Sequence, residues 1–216
     1  QMEAINKEKL SYFTNLAHEF KTPLTLIQGP ASQLVRQTTD PKEKEDLQII
    51  NRNAQYLLSL VNQLIDLRKI DTQNLTLNYS QFNFSKFLNT TITDFSNLMK
   101  ERNISFEKIY RLKSDHIYSD KENLHKILFN LLSNAIKHTP DKGKITLHAN
   151  QFIDKSNKLI QFISVTNSGS IIAPDEIDKI FNRFYRIPEQ NKYTNYGQSS
   201  TGIGLHIVKE LINLLD

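Results

Sequence analysis

The first candidate for chemistry is a histidine that is followed by polar side chains at helical spacing. The segment reads His18-Glu-Phe-Lys-Thr-Pro23. An exposed imidazole can act as a nucleophile, Glu19 can accept its proton, and the hydroxyl of Thr22 lies one helical turn further on the same face. Pro23 is expected to kink this helix. A plain surface histidine on a kinked helix is the alternative, and the hexapeptide alone leaves both interpretations open.

A second candidate is a polar stripe on a helix that is predicted at about residues 120–138. Spacings of four and three place Asn130, Asn134 and Lys137 on one face of this helix. Amide oxygens can ligate Mg²⁺, and an ammonium group can bind phosphate oxygens. The alternative is a solvated polar face without a ligand.

Two glycines open the last predicted helix, in the segment Ser200-Thr-Gly202-Ile-Gly204-Leu205. Glycines at a helix start let backbone amides approach a phosphate, and the helix dipole favours an anion there. The alternative is an ordinary helix start. A turn at Asn167-Ser-Gly169 and an aromatic and basic segment over Phe181–Arg186 are weaker signals by themselves.

Apolar periodicity predicts a helical hairpin in the first third of the chain. Apolar residues recur at heptad spacing over residues 10–34 and again over 47–64, with a polar break at 37–42. Further apolar residues widen the face of the second helix: Leu58, Leu60, Ile65 and Leu67. One partner helix cannot cover so wide a face, which predicts a four-helix bundle made from two chains.

After about Asp71 the periodicity changes, which predicts one domain over residues 1–71 and another over 72–216. The predicted elements of the second are a strand at 75–79, a helix at 84–101, antiparallel strands near 103–109, 144–153 and 159–167, a helix at about 120–138 and a final helix from about Thr201. Together they predict an α+β fold in which helices and strands share one layered core. The polar segment Ile187–Ser200 is predicted to be a mobile loop.

Composition excludes several classes of function. The net charge of +4 comes from 27 basic and 23 acidic residues that are mixed along the chain, so nucleic acid is not expected as a partner. The absence of cysteine excludes disulfides and thiolate metal sites. No apolar run approaches the roughly 20 residues that span a bilayer, and the N-terminus has no signal-peptide pattern. We therefore expect membrane attachment only through segments outside this chain.

Taken in order, these segments resemble the sequence boxes of the sensor histidine kinases of two-component systems. The matching segments are His18–Pro23 for the histidine box, Asn130–His138 for the asparagine box, Asn167–Gly169 for the first glycine box, Phe181–Arg186 for the phenylalanine box and Thr201–Leu205 for the second glycine box. The resemblance covers nearly the whole chain. It implies a dimerisation and histidine-phosphotransfer hairpin over 1–71 and an α/β sandwich of the Bergerat type that binds ATP over 72–216. It also implies Mg²⁺, a homodimer and a response-regulator receiver domain as partner.

The resemblance further implies a role for individual residues. His18 would accept the phosphoryl group, Glu19 would assist as acid and base, and Thr22 would position water when the partner is dephosphorylated. Asn130 and Asn134 would bind Mg²⁺ and phosphate, with Asn130 as the metal ligand. Lys137 and His138 would bind the phosphates, and Arg186 would contact the γ-phosphate. The backbone at Gly202 and Gly204 would form contacts of the lid over the nucleotide, and the further implied members of the site are Asn167, Gly169, Thr201 and Leu205.

The chain departs from the family pattern at several positions. Asn167 stands where the family usually has an Asp that accepts a hydrogen bond from the adenine amino group, and an uncharged amide makes a weaker bond there. Ile171 and Ser200 each replace a glycine of the glycine boxes. The chain ends at Asp216, before the closing strands that family members place after this helix, so we expect a shortened ATP-binding domain.

Two other functions compete with this interpretation. The ATPases of topoisomerases and chaperones share the ATP fold but need a general base for water. In the topoisomerase type, a Glu that serves as this base stands four residues before the position of Asn134. This chain has Asn130 there, and an amide cannot take up a proton near neutral pH. A dimerisation scaffold with a degenerate nucleotide domain is the second alternative, and a nucleotide titration would distinguish it.

The interpretation that fits best is an ATP-dependent protein-histidine kinase. We expect it to phosphorylate itself on His18, to pass the group to a response regulator and to have phosphatase activity. We also expect it to form the cytoplasmic portion of a membrane-anchored receptor.

Overall fold

The computed structural model describes residues 2–72, 74–155, 157–169, 171–187 and 201–215, with side chains at Ala17 and from Glu19 onward. The chain forms two compact units, Gln1–Leu75 and Thr76–Asp216. Within the described residues, no helix is long and apolar enough to cross a membrane. Residues 188–200 of the predicted loop lie outside the described part of the chain.

The first unit is a helical hairpin, which confirms the prediction from periodicity. Its helices are α1 (Met2–Gln37) and α2 (Pro41–Asp71). The Asp40 carboxylate accepts hydrogen bonds from the amides of Lys42 (2.8 Å) and Glu43 (3.2 Å), and Pro41 occupies the first turn of α2, where its missing amide leaves no bond unmade. Helix α1 continues through Pro23.

The predicted heptad seam of α1 separates into two series with a step of seven residues. Ala17, Leu24 and Ala31 face inward: the two alanines are buried, and Ala17 and Leu24 pack with Val61 and Ile65 of α2. The other series, together with the matching residues of α2, forms an outer stripe that remains 45 to 57% exposed: Phe20, Ile27, Leu34, Ile50 and Leu57. One hairpin therefore buries only about half of the apolar face that its sequence provides.

The second unit combines two sheets with helices in an α+β arrangement. The strands are β1 (Tyr79–Asn83), β2 (Ser105–Arg111), β3 (His116–Asp120), β4 (Lys144–Ile153) and β5 (Leu159–Asn167). The helices are α3 (Phe84–Thr93), α4 (Ser96–Glu101), α5 (Lys121–His138) and α6 (Gly204–Leu215), with short 3₁₀ turns at Pro174–Glu176 and Lys179–Phe181. Strand β1 pairs with β3 in antiparallel orientation, and β4 lies between a parallel β2 and an antiparallel β5.

The core of this unit lies between α3, α5 and the central strand β4. Phe84 of α3, Leu128 and Leu132 of α5, and Ile145 and Leu147 of β4 are each at most 1% exposed. Burial of each such side chain contributes about 1.5–3 kcal/mol. This packing fixes the rotation of α5 about its axis and leaves its opposite face for polar residues.

Several predicted elements need correction. Strand β1 begins at Tyr79 instead of at residue 75, and β3 was not predicted. The predicted helix 84–101 is broken after Thr93, because the chain turns there and buries Phe95, whose amide bonds the carbonyl of Ile92 (3.1 Å). Strands β2 and β4 run parallel, not antiparallel, because the connection between them includes helix α5 and returns the chain to the same end of the sheet.

Candidate functional site

The polar stripe of α5 is present where the sequence predicts it. Asn130, Asn134 and Lys137 are all half-buried, on the side of α5 that faces away from Leu128. The side-chain nitrogen of Asn130 donates a hydrogen bond to the carbonyl of Lys126 (2.8 Å). Because this bond uses the amide nitrogen, the side-chain oxygen of Asn130 remains available as an acceptor or a metal ligand.

The start of α6 lies directly against this stripe. A Cβ atom at Gly204 would be 2.7 Å from the side-chain oxygen of Asn130, a distance that no carbon normally occupies. Gly204 therefore allows the first turn of α6 to approach the amide of Asn130. The asparagine stripe and the glycine pair, which are far apart in the sequence, are neighbours in the fold.

Gly202 brings the main chain of a third segment to the same place. We call residues Phe181–Arg186 the arginine segment. A Cβ atom at Gly202, whose φ is +69°, would lie 2.6 Å from the carbonyl carbon of Phe184 and 2.7 Å from the carbonyl oxygen of Tyr185. The amide of Phe184 also donates to the carbonyl of Gly202 (3.0 Å). The arginine segment is therefore held against the residues that precede α6.

The remaining members of the second glycine box are also part of this turn. The hydroxyl of Thr201 accepts a hydrogen bond from the amide of Ile203 (3.3 Å), and Leu205 is half-buried in the first turn of α6. Ser200, which replaces a glycine of the family pattern, lies outside the described residues.

Positive charge is concentrated at the C-terminal end of α5. Burial lowers the pKa of the Lys137 ammonium, and the nearby charge of Arg186 lowers it further. Burial also lowers the pKa of the His138 imidazole, with a second contribution from Lys137. Among the described residues, neither Lys137 nor Arg186 has a carboxylate partner. An anion bound near both cations would therefore be stabilised by both.

The turn Asn167–Gly169 lies against the same end of α5. Gly169 has a φ of +113°, and a Cβ atom there would be 2.5 Å from the Cδ atom of Pro140 and 3.1 Å from the carbonyl oxygen of His138. The side-chain nitrogen of Asn167 donates to the carbonyl of Ser168 (3.2 Å). A glycine is required at position 169 both by the backbone conformation and by this close approach.

The predicted phosphoacceptor group lies on α1, in the first unit. Glu19 and Thr22 are exposed. The backbone of His18 belongs to α1, but its side chain lies outside the described part of the structure. The structure thus brings the nucleotide-binding candidates together in the second unit and leaves the three residues of the histidine box as a separate group.

Sequence reasoning missed two residues that support the site. Arg102 is buried, and its guanidinium donates to the carbonyls of Ile136 (2.7 Å) and Thr139 (2.6 Å) and to the carboxylate of Asp141 (2.8 Å), so it satisfies the last carbonyls of α5. His206 of α6 bonds to the arginine segment. Only the tertiary structure shows these contacts, because neither residue belongs to a sequence motif.

Comparison with known proteins identifies both units. The family model "His Kinase A (phospho-acceptor) domain" matches residues 8–73, and the model "Histidine kinase-, DNA gyrase B-, and HSP90-like ATPase" matches residues 119–216. A histidine kinase of Formosa agariphila is 38% identical over an alignment of 216 positions, which covers 98% of this chain and 15% of that relative. The chain therefore spans only a small part of the length of this curated relative.

Solved structures of histidine kinases have the same fold. Full-length ShkA in complex with AMPPNP matches with a TM-score of 0.69 and 25% identity, over 94% of this chain and 40% of that chain. Histidine kinase ThkA in complex with the response regulator protein TrrA matches with a TM-score of 0.53 and 26% identity, over 83% of this chain and 53% of that chain. Both family models and the structural matches agree with the order of the sequence boxes. The chain therefore belongs to the sensor histidine kinases of two-component systems, as a core in which a phosphoacceptor hairpin precedes an ATP-binding domain of the histidine kinase type.

Proposed function

We propose that this chain transfers the γ-phosphoryl group of ATP to His18 and then to the receiver domain of a response regulator. The observation that carries the proposal is that the polar stripe of α5, the glycine-opened start of α6 and the arginine segment lie against one another, with the charges of Lys137 and Arg186 close enough to interact. Two cations and free helix amides favour a polyphosphate at this position. The ShkA structure, which contains AMPPNP, supports the same assignment.

Different residues of the second unit bind different parts of the nucleotide. Lys137 and His138 bind phosphate oxygens, Asn134 adds an amide from the same stripe, and Arg186 contacts the γ-phosphate. The backbone around Gly202 and Gly204 approaches the phosphates closely because neither residue carries a side chain.

The side-chain oxygen of Asn130 fits a magnesium ligand. It is a neutral, hard oxygen, and its own amide nitrogen is already bonded to the Lys126 carbonyl, which fixes its orientation. Mg²⁺ usually binds through few protein oxygens together with phosphates and water. When bound, Mg²⁺ would neutralise charge on the phosphates, while Lys137 and Arg186 supply the fixed positive charge of the protein.

The turn that follows β5 is proposed to bind adenine. The side-chain oxygen of Asn167 would accept a hydrogen bond from the adenine amino group, and Gly169 keeps this turn against the end of α5. The bond lacks the charge that an Asp would provide, so we expect adenine to contribute less to affinity here than it does with a carboxylate acceptor.

The transfer step uses the histidine box of α1. A ring nitrogen of His18 forms a bond to the γ-phosphorus as the bond from that phosphorus to the β,γ-bridging oxygen breaks, and ADP leaves. Glu19, exposed beside His18, accepts the proton that the imidazole must lose. In the second step a receiver carboxylate takes the phosphoryl group, and the imidazole is regenerated.

Thr22 is proposed to act in a second activity, the dephosphorylation of the regulator. Its hydroxyl is exposed one turn beyond His18 and does not ionise near neutral pH, so it can orient a water molecule but cannot replace Glu19 as a proton acceptor. Thr22→Ala should keep autophosphorylation and lose phosphatase activity, measured on one preparation with one regulator. Equal loss of both activities would show that Thr22 only shapes the helix before Pro23.

The partners follow from the two units. We propose that the hairpin forms a homodimer through its outer stripe and that a response regulator docks on it, an arrangement supported by the ThkA complex with TrrA. We also propose that the chain works on the cytoplasmic side of a receptor whose membrane segments lie outside it.

The decisive experiment is labelling with γ-labelled ATP and Mg²⁺. The chain should acquire label that is labile to acid and stable to base, as expected of a phosphohistidine, and His18→Gln should lose the label but still bind ATP. His116→Gln is a matched control, because His116 is exposed and lies in the other unit. Acid-stable label, or label that survives His18→Gln, would contradict the assignment. Binding of ATP without any label would favour the non-catalytic scaffold.

A further inference from the structure

His206 connects α6 to the arginine segment through both of its ring nitrogens. The Nε atom of Arg183 donates a hydrogen bond to Nε2 of His206 (2.8 Å). The other ring nitrogen, Nδ1, lies 3.1 Å from the carbonyl oxygen of Phe181. His206 is half-buried and lies two residues after Gly204, in the first turn of α6.

These two contacts determine the form of the imidazole. A guanidinium has only hydrogen-bond donors, so Nε2 of His206 must act as the acceptor and carries no proton. The remaining ring proton therefore resides on Nδ1 and is donated to the carbonyl of Phe181. The contacts are compatible with one neutral tautomer only, and they hold both the start and the middle of the arginine segment.

The backbone of the arginine segment needs such support. Phe184 has a φ of +61° and is 62% exposed, so its own side chain contributes little packing. A left-handed conformation is strained at a residue other than glycine, because the Cβ atom comes close to the following carbonyl oxygen. The surrounding contacts must offset this strain, and the Tyr185 hydroxyl makes one of them by donating to the carboxylate of Glu176. The next residue is Arg186, whose charge acts on Lys137.

We propose that His206 is a positioning residue for phosphoryl transfer. By holding Arg183 and the carbonyl of Phe181 against α6, it fixes the backbone of the arginine segment and so places Arg186 beside Lys137. This inference rests on the proposed function for the role of Arg186 in transfer, but the contact itself exists independently of any activity. Nothing in the sequence boxes assigns a role to position 206.

Two replacements separate this role from simple packing. His206→Gln preserves one acceptor and one donor, whereas His206→Phe keeps a ring of similar size without either. His206→Phe should lower the maximal rate of autophosphorylation by about tenfold, because it removes a hydrogen bond to a charged donor. The KM for ATP should change little, because Arg186 acts on the group in transfer more than on bound ATP. His206→Gln should retain the rate within about threefold.

Two kinetic outcomes would contradict the proposal. If His206→Phe keeps the full rate, the proposal is wrong. It is also wrong if both variants lose rate and thermal stability to the same degree, since that would indicate a structural role alone. His116→Phe, on the exposed end of β3, controls for the general effect of replacing a histidine.

A spectroscopic measurement tests the contact without requiring activity. Nitrogen NMR of the imidazoles, with the His206 signal assigned by its absence in His206→Gln, should show the tautomer with the proton on Nδ1. Arg183→Ala should shift that signal, because Nε2 loses its donor. A ring with its proton on Nε2, or no shift in Arg183→Ala, would overturn the inference even in a protein that phosphorylates normally. If the contact is present but no phosphohistidine forms, the proposed function fails and the contact stands.

Discussion

Lys137 is the residue at which burial and like charge act together. Its ammonium is partly removed from water and faces Arg186, and both effects lower its pKa. A phosphate placed between the two cations would reverse the second effect, so the free energy of binding includes relief of their repulsion. Lys137 should therefore contribute more to nucleotide affinity than an exposed lysine of the same helix.

Replacement of Lys137 tests this expectation. Lys137→Met keeps the length of the side chain and removes the charge, and it should weaken ATP binding by roughly tenfold to a hundredfold, the value of about 1.5–3 kcal/mol for a hydrogen bond to a charged group. Isothermal titration with ATP and Mg²⁺ measures the change. Lys121→Met is the control, because Lys121 is exposed at the other end of α5. Equal effects of both replacements would mean that only the overall charge matters.

His138 predicts a dependence of stability on pH. Burial, and to a lesser extent Lys137, lower its pKa below 6.5 in the folded chain. The unfolded chain therefore binds this proton more readily, so the contribution of His138 to stability is complete above about pH 6.5 and declines as the pH falls below it. The Tm should fall between about pH 7.5 and pH 5.5, and it should fall less in His138→Gln. An identical fall in both proteins would remove His138 as the cause.

The helical face that carries the candidate residues of α5 could be predicted from the sequence, but several spatial relations among the candidate site residues could not. Asn130 and Asn134 share a helix, so spacing alone places them on one face. The pairs Lys137 with Arg186 and Asn130 with Gly204 depend on how α6 and the arginine segment fold back on α5, and periodicity contains no information about that packing. The roles of individual residues in binding and catalysis stay predictions.

At the scale of elements, α5 is fixed at both ends by charged side chains. Asp120 caps its first turn by accepting from the amide of Asn123 (2.9 Å), and Asp120 also accepts from the amide of Asn78 before β1 (2.7 Å). Arg102 binds the last carbonyls. Because Lys137 occupies the final turn, the position of its positive charge depends on this second anchor.

Arg102 therefore provides a test at this scale. Arg102→Met removes the guanidinium donors from the carbonyls of Ile136 and Thr139 and the partner of Asp141, and it should lower the free energy of unfolding by on the order of 3 kcal/mol. Denaturant unfolding measures the loss, and ATP affinity should fall with it. Asp141→Asn should cost less than about 1 kcal/mol, because Asp141 is 73% exposed. A stable Arg102→Met protein would show that these carbonyls find other partners.

The elements that were predicted wrongly share a physical reason. Strand β3 has five residues, and its two buried side chains, Ile117 and Asp120, are three positions apart, so it shows little of the alternation by which strands are recognised. The break before α4 is set by burial of Phe95, which a helical pattern over 84–101 cannot reveal. The long alternation of β4 and the amphipathic pattern of α5 were recognised because each extends over several repeats.

At the scale of the whole molecule, the outer stripe of the hairpin requires a partner. Its five residues lie on one face of each helix and are large and apolar, a surface that single soluble domains seldom leave exposed. A second copy of the hairpin can supply the complementary stripe in a four-helix bundle.

A single charge in the outer stripe tests the dimer. The chain should have the mass of two copies in light scattering at micromolar concentration, and Ile27→Glu should reduce it to one, because a carboxylate would be buried without a partner. Leu26→Glu is a close control: Leu26 is adjacent and 69% exposed, but it is outside the stripe. A monomeric chain, or equal effects of the two replacements, would argue against this interface.

Gly202 and Gly204 differ in what each one touches, and this difference predicts how the two codons can evolve. A side chain at position 202 would collide with main-chain atoms of Phe184 and Tyr185, which no substitution at those residues can remove. A side chain at position 204 would collide with the amide of Asn130, which substitution can remove. Selection at position 202 should therefore act on that codon alone, whereas a side chain at position 204 requires a smaller residue at position 130, which would also remove the proposed magnesium ligand.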